Sequence, residues 1–74
     1  MSDGHTLIDK DKLAAKRIRS RLTRPGLAKL AGLDPTHIRL LERGKRGTTP
    51  ETLGKLADAL GCDITDLMPD EVAA

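Results

Sequence analysis

Three times in this chain a residue able to cap a helix is followed within two positions by proline and later by glycine. Thr23 precedes Pro25 and Gly32, Asp34 precedes Pro35 and Gly44, and Thr49 precedes Pro50 and Gly61. A hydroxyl or carboxylate satisfies the free N–H groups that open a helix, and proline fits the first turn because its missing N–H would have had no partner. Glycine ends the helix by taking the left-handed conformation. This punctuation predicts three helices, the second and third separated by only Gly32, Leu33 and Asp34, so that they must cross steeply. A further helix is predicted from Asp9 or Asp11 to about Ser20, where Leu13, Arg17 and Ile18, then Leu22, recur at helical spacing with acids first and bases last. A last short one, capped by Asp63, runs from Ile64 to about Met68, ahead of Pro69. With no Phe, Tyr or Trp, the core rests on twelve Leu, four Ile and eight Ala, which suit helix-on-helix packing. The fold class is therefore all-α, a compact five-helix domain.

At 74 residues the chain has material for one core. The organisation expected is a flexible arm over residues 1–8, with Leu7 and Ile8 free to tuck against the core, a helical domain over 9–68 and an acidic tail over 69–74. No run approaches the ~18 apolar residues of a membrane span, and Met1 to His5 lacks the pattern of a signal peptide, so a cytoplasmic protein is expected. A single cysteine, Cys62, excludes an internal disulfide and a Cys-based metal site, no partner for a metal site lies near His37, and His5, in the arm, signals little. Cys62 follows Gly61 where a small apolar residue is usual, which predicts a buried thiol. No cofactor is expected. There is no Ser-His-Asp set, no zinc pattern and no phosphate-cradling glycine loop, so an enzyme is not expected either.

The formal net charge of +2 conceals a division. Between Lys10 and Arg46 lie twelve of the thirteen Lys and Arg, against three acids, whereas from Gly47 onward one Lys faces six acids. Such segregation favours a surface for polyanions. Without aromatic side chains to stack on unpaired bases, duplex suits it better than single strands.

The segment Arg24 to Arg43 is the most informative. Two helices crossing closely need a small residue at the crossing, supplied by Ala28, and a turn tolerant of positive φ, supplied by Gly32. Leu33, Ile38 and Leu41 then lie at the offsets that lock the second helix of the pair onto the first. The remaining apolar stripes are Leu27, Leu30 and Ala31 before the turn, and Leu53, Leu56, Ala57 and Leu60 in the helix after Pro50.

The run LTRPGLAKLAGLDPTHIRLLERGKRGTTPETLGKLADALGCDITDL, and within it LAKLAGL, ERGKR and PETLGKLADALG, resembles the DNA-binding domain of the phage Cro and repressor (XRE) helix-turn-helix family over about Leu13 to Leu67. The resemblance implies five helices with the helix-turn-helix formed by the second and third. It also implies binding to duplex DNA as a dimer on an inverted repeat, and a bacterial or phage-encoded protein working at the nucleoid. It further implies that Arg17 and Glu42 pair, partly buried. Where the family often begins the second helix with Gln, this chain has Arg24, and Pro25 and Gly26 replace the usual acidic pair.

With Ile38, Leu41 and Glu42 turned inward, Thr36, Arg39, Leu40 and Arg43 fall on the opposite face of the third helix, the face that would enter the major groove. Arg39 is the candidate reader of guanine, Thr36 touches a base edge or a thymine methyl, and Leu40 either meets a thymine methyl or packs inward. Phosphate contacts are expected from Thr23, Arg24, His37, Arg43, Lys45, Arg46 and Thr49. Leu53, Ile64, Leu67 and Met68 in the acidic half serve either as the dimer contact or as core. Repression of transcription is the expected mode. The competing reading is a protein-binding module, such as an antitoxin or regulatory subunit, with DNA binding secondary.

Overall fold

The computed structural model describes residues 8–70. Four α-helices follow in order, α1 (Lys10–Arg19), α2 (Arg24–Ala31), α3 (Pro35–Glu42) and α4 (Pro50–Leu60), and then a single 3-10 turn, Ile64–Leu67. The caps are those the sequence predicts. Asp9 accepts from the N–H groups of Asp11 and Lys12, Thr23 from Gly26, Asp34 from Thr36 and Thr49 from Thr52, at 2.8–3.2 Å. The fold is all-α as expected. The fifth helix is the one departure, since four residues between Asp63 and Met68 complete only a 3-10 turn. Asp66 anchors that turn by accepting the N–H of Asp63 at 3.1 Å.

The helices also end alike. In each of the four an N–H just past the end reaches back five residues to a carbonyl: Leu22 to Arg17, Leu33 to Ala28, Lys45 to Leu40 and Cys62 to Ala57, at 2.8–3.1 Å. That closure requires the residue before the donor to take a left-handed φ. Gly32, Gly44 and Gly61 do so, and Arg21, at φ 59°, does so without being glycine.

Leu13, Leu27, Ile38, Leu41, Leu53, Leu56 and Leu67 are fully buried, with Ala28 at the crossing of α2 and α3. Ile8 belongs to this core, and the N–H of Asp9 donates to the carbonyl of Leu67 at 2.7 Å, joining the two ends of the described chain. The expected arm, residues 1–8, otherwise lies outside the described residues, as does the tail beyond Asp70. Lys12 on α1 donates to the Met68 carbonyl and pairs with the Asp70 carboxylate. No helix among the described residues is long and apolar enough to cross a membrane.

Two expected core positions are corrected. Ile18 is 63% and Leu30 62% exposed. On α1 the inward line runs through Leu13 and Arg17, and a further step of about 100° carries Ile18 off it. On α2 the inward surface is Leu27, Ala28 and Ala31, where small side chains let α3 and α4 approach, and Leu30 lies on the flank beyond Leu27. The two alternatives left open for the acidic half also resolve. Leu53 and Leu67 are core, Met68 is partly buried against it, and Ile64 alone of the four is exposed, at 42%.

Candidate nucleic-acid interface

α3 is held from behind and bare in front. Ile38 and Leu41 are fully buried, and Leu33, in the turn, packs against the same core. On the other side Thr36, Arg39 and Arg43 are exposed and recur at intervals of three and four, so they form one stripe along the helix. Leu40 is half-buried and lies at the edge of that stripe. Beyond Gly44 the loop turns back with Lys45 and Arg46 exposed, while Gly47 and Thr48 are buried beneath them. Among the described residues none of Arg39, Arg43, Lys45 or Arg46 has an acidic partner within salt-bridge distance. Four cations on one helix and its following loop are thus open to an anion. Thr23 and Thr49, also exposed, are occupied in capping α2 and α4.

Behind the stripe, at the last residue of α3, the side chain of Glu42 is only 3% exposed. One of its oxygens accepts Nε of Arg17 at 2.6 Å and the other accepts Nη2 of the same guanidinium at 3.1 Å. Arg17, itself 13% exposed, gives Nη1 to the carbonyl of Leu22 at 2.8 Å, bracing the turn between α1 and α2. This is the pair that the resemblance implies. The sequence did not announce a third member. Arg24, at the start of α2, donates Nε to the same Glu42 oxygen at 3.0 Å. One carboxylate therefore holds cations from α1 and α2 against the end of α3.

His37 differs from the expected phosphate-facing residue. The residue is half-buried, and Nε2 is out of reach of solvent with no hydrogen-bond partner among the described residues. Burial pushes its pKa below the ordinary 6.5, the positive charge of Arg46 adds to the effect, and Asp34 opposes it. Only the remainder of the ring is left to meet a ligand. Cys62 is partly buried against the core, and burial is the main reason its thiol is pushed above its usual range.

Among solved structures the chain is similar to the restriction-modification controller protein C.AhdI from Aeromonas hydrophila. Identity is 32%, over 80% of this chain and 89% of that one, with a TM-score of 0.78. It is also similar to an HTH_3 family transcriptional regulator from Vibrio cholerae, 25% identical over 85% of this chain and 35% of that one, TM-score 0.76. A third is the clp gene regulator ClgR from C. glutamicum, 28% identical over 77% of this chain and 74% of that one, TM-score 0.72. No curated protein matches the chain. The helix-turn-helix family matches residues 13–67, from Leu13 at the heart of α1 to Leu67 at the end of the 3-10 turn. With the crossing at Ala28, the turn at Gly32 and the bare basic face of α3, the chain belongs to that family, of the XRE type, whose members are DNA-binding transcription regulators.

Proposed function

We propose that the protein is a sequence-specific regulator that lays α3 in the major groove of duplex DNA and represses transcription by occupying its site. The observation that carries this reading is the exposed stripe of Thr36, Arg39 and Arg43 on a helix whose opposite side is fully packed. A rigid helix with such an edge suits a groove about 12 Å wide. In this arrangement Arg39 reads a base, Thr36 and the exposed edge of Leu40 contribute apolar or hydroxyl contacts, and Arg24, Arg43, Lys45 and Arg46 grip phosphates. The capped starts of α2 and α4 at Thr23 and Thr49 add backbone N–H groups to that grip.

One such module covers about four or five base pairs, too few to define a genomic site, so two copies on an inverted repeat are proposed. The exposed Ile64 and the partly buried Leu60 and Met68, in the acidic half, support a contact between copies away from the basic face. That one neighbour is named as a restriction-modification controller and another as a regulator of clp genes supports control of transcription as the task.

The test is titration into labelled duplexes taken from upstream of the chain's own gene, at several salt concentrations. A dimer making about 6–10 phosphate contacts gives a logarithmic salt slope near −5 to −9. Tight binding to a co-purifying protein, with none to any duplex, would replace this reading by that of a protein-binding module.

A further inference from the structure

Resting on the DNA-binding reading above, we propose that Glu42 is a positioning residue for a phosphate contact made by Arg24. The buried carboxylate that closes the helix-turn-helix also aims a guanidinium outward. A guanidinium has two edges able to form paired hydrogen bonds, one through Nε and a neighbouring terminal nitrogen, the other through its two terminal nitrogens. Arg24 gives Nε to Glu42, and among the described residues its terminal nitrogens have no acceptor. The end-on fork, the edge that matches two oxygens of a phosphate, is therefore left open on a half-exposed side chain.

Three facts argue that the aim is set rather than incidental. The Glu42 oxygen that holds Arg24 is itself immobilised, because both carboxylate oxygens are fixed by Arg17 and the side chain is 3% exposed. Arg24 is the first residue of α2, directly after the Thr23 cap and before Pro25, so its backbone is as constrained as its guanidinium. The cluster also carries one carboxylate against two guanidiniums, so that it keeps a surplus positive charge at the edge where Arg24 emerges. A long side chain that would otherwise lose rotamer entropy on binding is already restrained.

The consequence separates geometry from charge. If charge alone mattered, Lys would replace Arg24 with little loss, since both side chains carry +1. If the fork is aimed by Glu42, Lys cannot reproduce it, as an ammonium has no second edge.

The experiment measures duplex binding at several salt concentrations for the parent, Arg24→Ala, Arg24→Lys, Glu42→Gln and the combination of Arg24→Lys with Glu42→Gln, with thermal unfolding of each. Arg24→Lys leaves the salt slope unchanged but weakens binding about tenfold, while Arg24→Ala also flattens the slope by about 0.9 per copy bound. In the Glu42→Gln background Arg24→Lys costs much less than in the parent. Equal binding by Arg24→Lys and the parent overturns the proposal, as does the same loss in both backgrounds. Should Glu42→Gln fail to fold, Arg24→Lys against the parent still tests the fork, because both Arg24 variants leave Arg17 and Glu42 in place and equal binding overturns the proposal. Failure of the parent itself to bind any duplex would instead remove the DNA-binding reading, and this one with it.

Discussion

Arg17 and Glu42, 25 residues apart in the sequence, meet through two hydrogen bonds of 2.6 and 3.1 Å in a site from which water is almost excluded. Removing one member of such a pair leaves an unpaired buried charge, at a cost of about 3–5 kcal/mol. A domain of this size has only about 4–11 kcal/mol of stability in all. Glu42→Ala is therefore expected to lose a large share of the domain's stability. Replacing both, as in Arg17→Met with Glu42→Leu, puts apolar volume where the ions were and loses far less. Urea unfolding of the three proteins checks this; a Glu42→Ala midpoint close to the parent's would mean that the pair contributes little.

Arg21 is the one helix-ending residue of the four that takes a left-handed φ without being glycine. For an L-residue that conformation costs about 1–2 kcal/mol, and glycine returns part of the gain through the greater freedom of its unfolded chain. Arg21→Gly is thus expected to stabilise the domain by about 0.5 kcal/mol. Gly32→Ala, in the same conformation with open space around its Cβ, should destabilise it through backbone strain alone. Thermal melts of the two variants should move in opposite directions. A fall in the melting temperature of Arg21→Gly would show that the Arg side chain supplies more than its backbone strain removes.

His37 imposes a pH dependence of defined sign. Because burial and Arg46 lower its pKa in the folded protein, the unfolded chain holds more protons than the folded one at pH values below about 6.5. Its contribution to stability is fully present above 6.5 and is lost as the pH falls through the folded pKa. Relative to His37→Gln, the parent should lose stability on acidification from pH 7.5 to 5, as measured by urea midpoints at each pH. Parallel profiles for the two proteins would show that His37 does not couple to folding.

Much of this architecture is legible in local chemistry. Thr23, Asp34 and Thr49 cap the helices they precede, and Gly32, Gly44 and Gly61 end them, because capping and left-handed termination depend on one residue and its immediate neighbours. The side of α3 that faces out follows in the same way from helical spacing of Ile38 and Leu41. What spacing does not reveal is which flank of a helix its neighbours cover. Leu30 and Ile18 are apolar and close to their stripes, yet each is left more than 60% exposed. Nor does spacing reveal a partnership across the chain. Arg24 reads as one more surface cation until α3 brings Glu42 beside it, and His37 reads as exposed until the fold half-buries it within the field of Arg46. The cue available for Arg24 was its place directly after a cap, where the backbone is rigid and a long side chain is easily aimed.

Arg39 and Arg46 carry the same charge but are expected to do different work in the proposed complex. Arg39 projects from the middle of α3, which faces base edges in the proposed complex, and a guanidinium paired with guanine discriminates by about 1–3 kcal/mol. Arg46 lies in the loop beyond α3, which in the proposed complex meets sugar and phosphate, and phosphates carry no sequence. Arg39→Ala should weaken operator binding about tenfold or more while leaving random duplex nearly unchanged, which narrows the specificity ratio. Arg46→Ala should weaken both targets alike and reduce the salt slope by about 0.9 per copy. Competition binding with an operator and a scrambled duplex at fixed salt separates the two. Equal losses on both duplexes for Arg39→Ala would place it on the sugar-phosphate chain, and the reading of bases would then have to pass to Thr36 and Leu40.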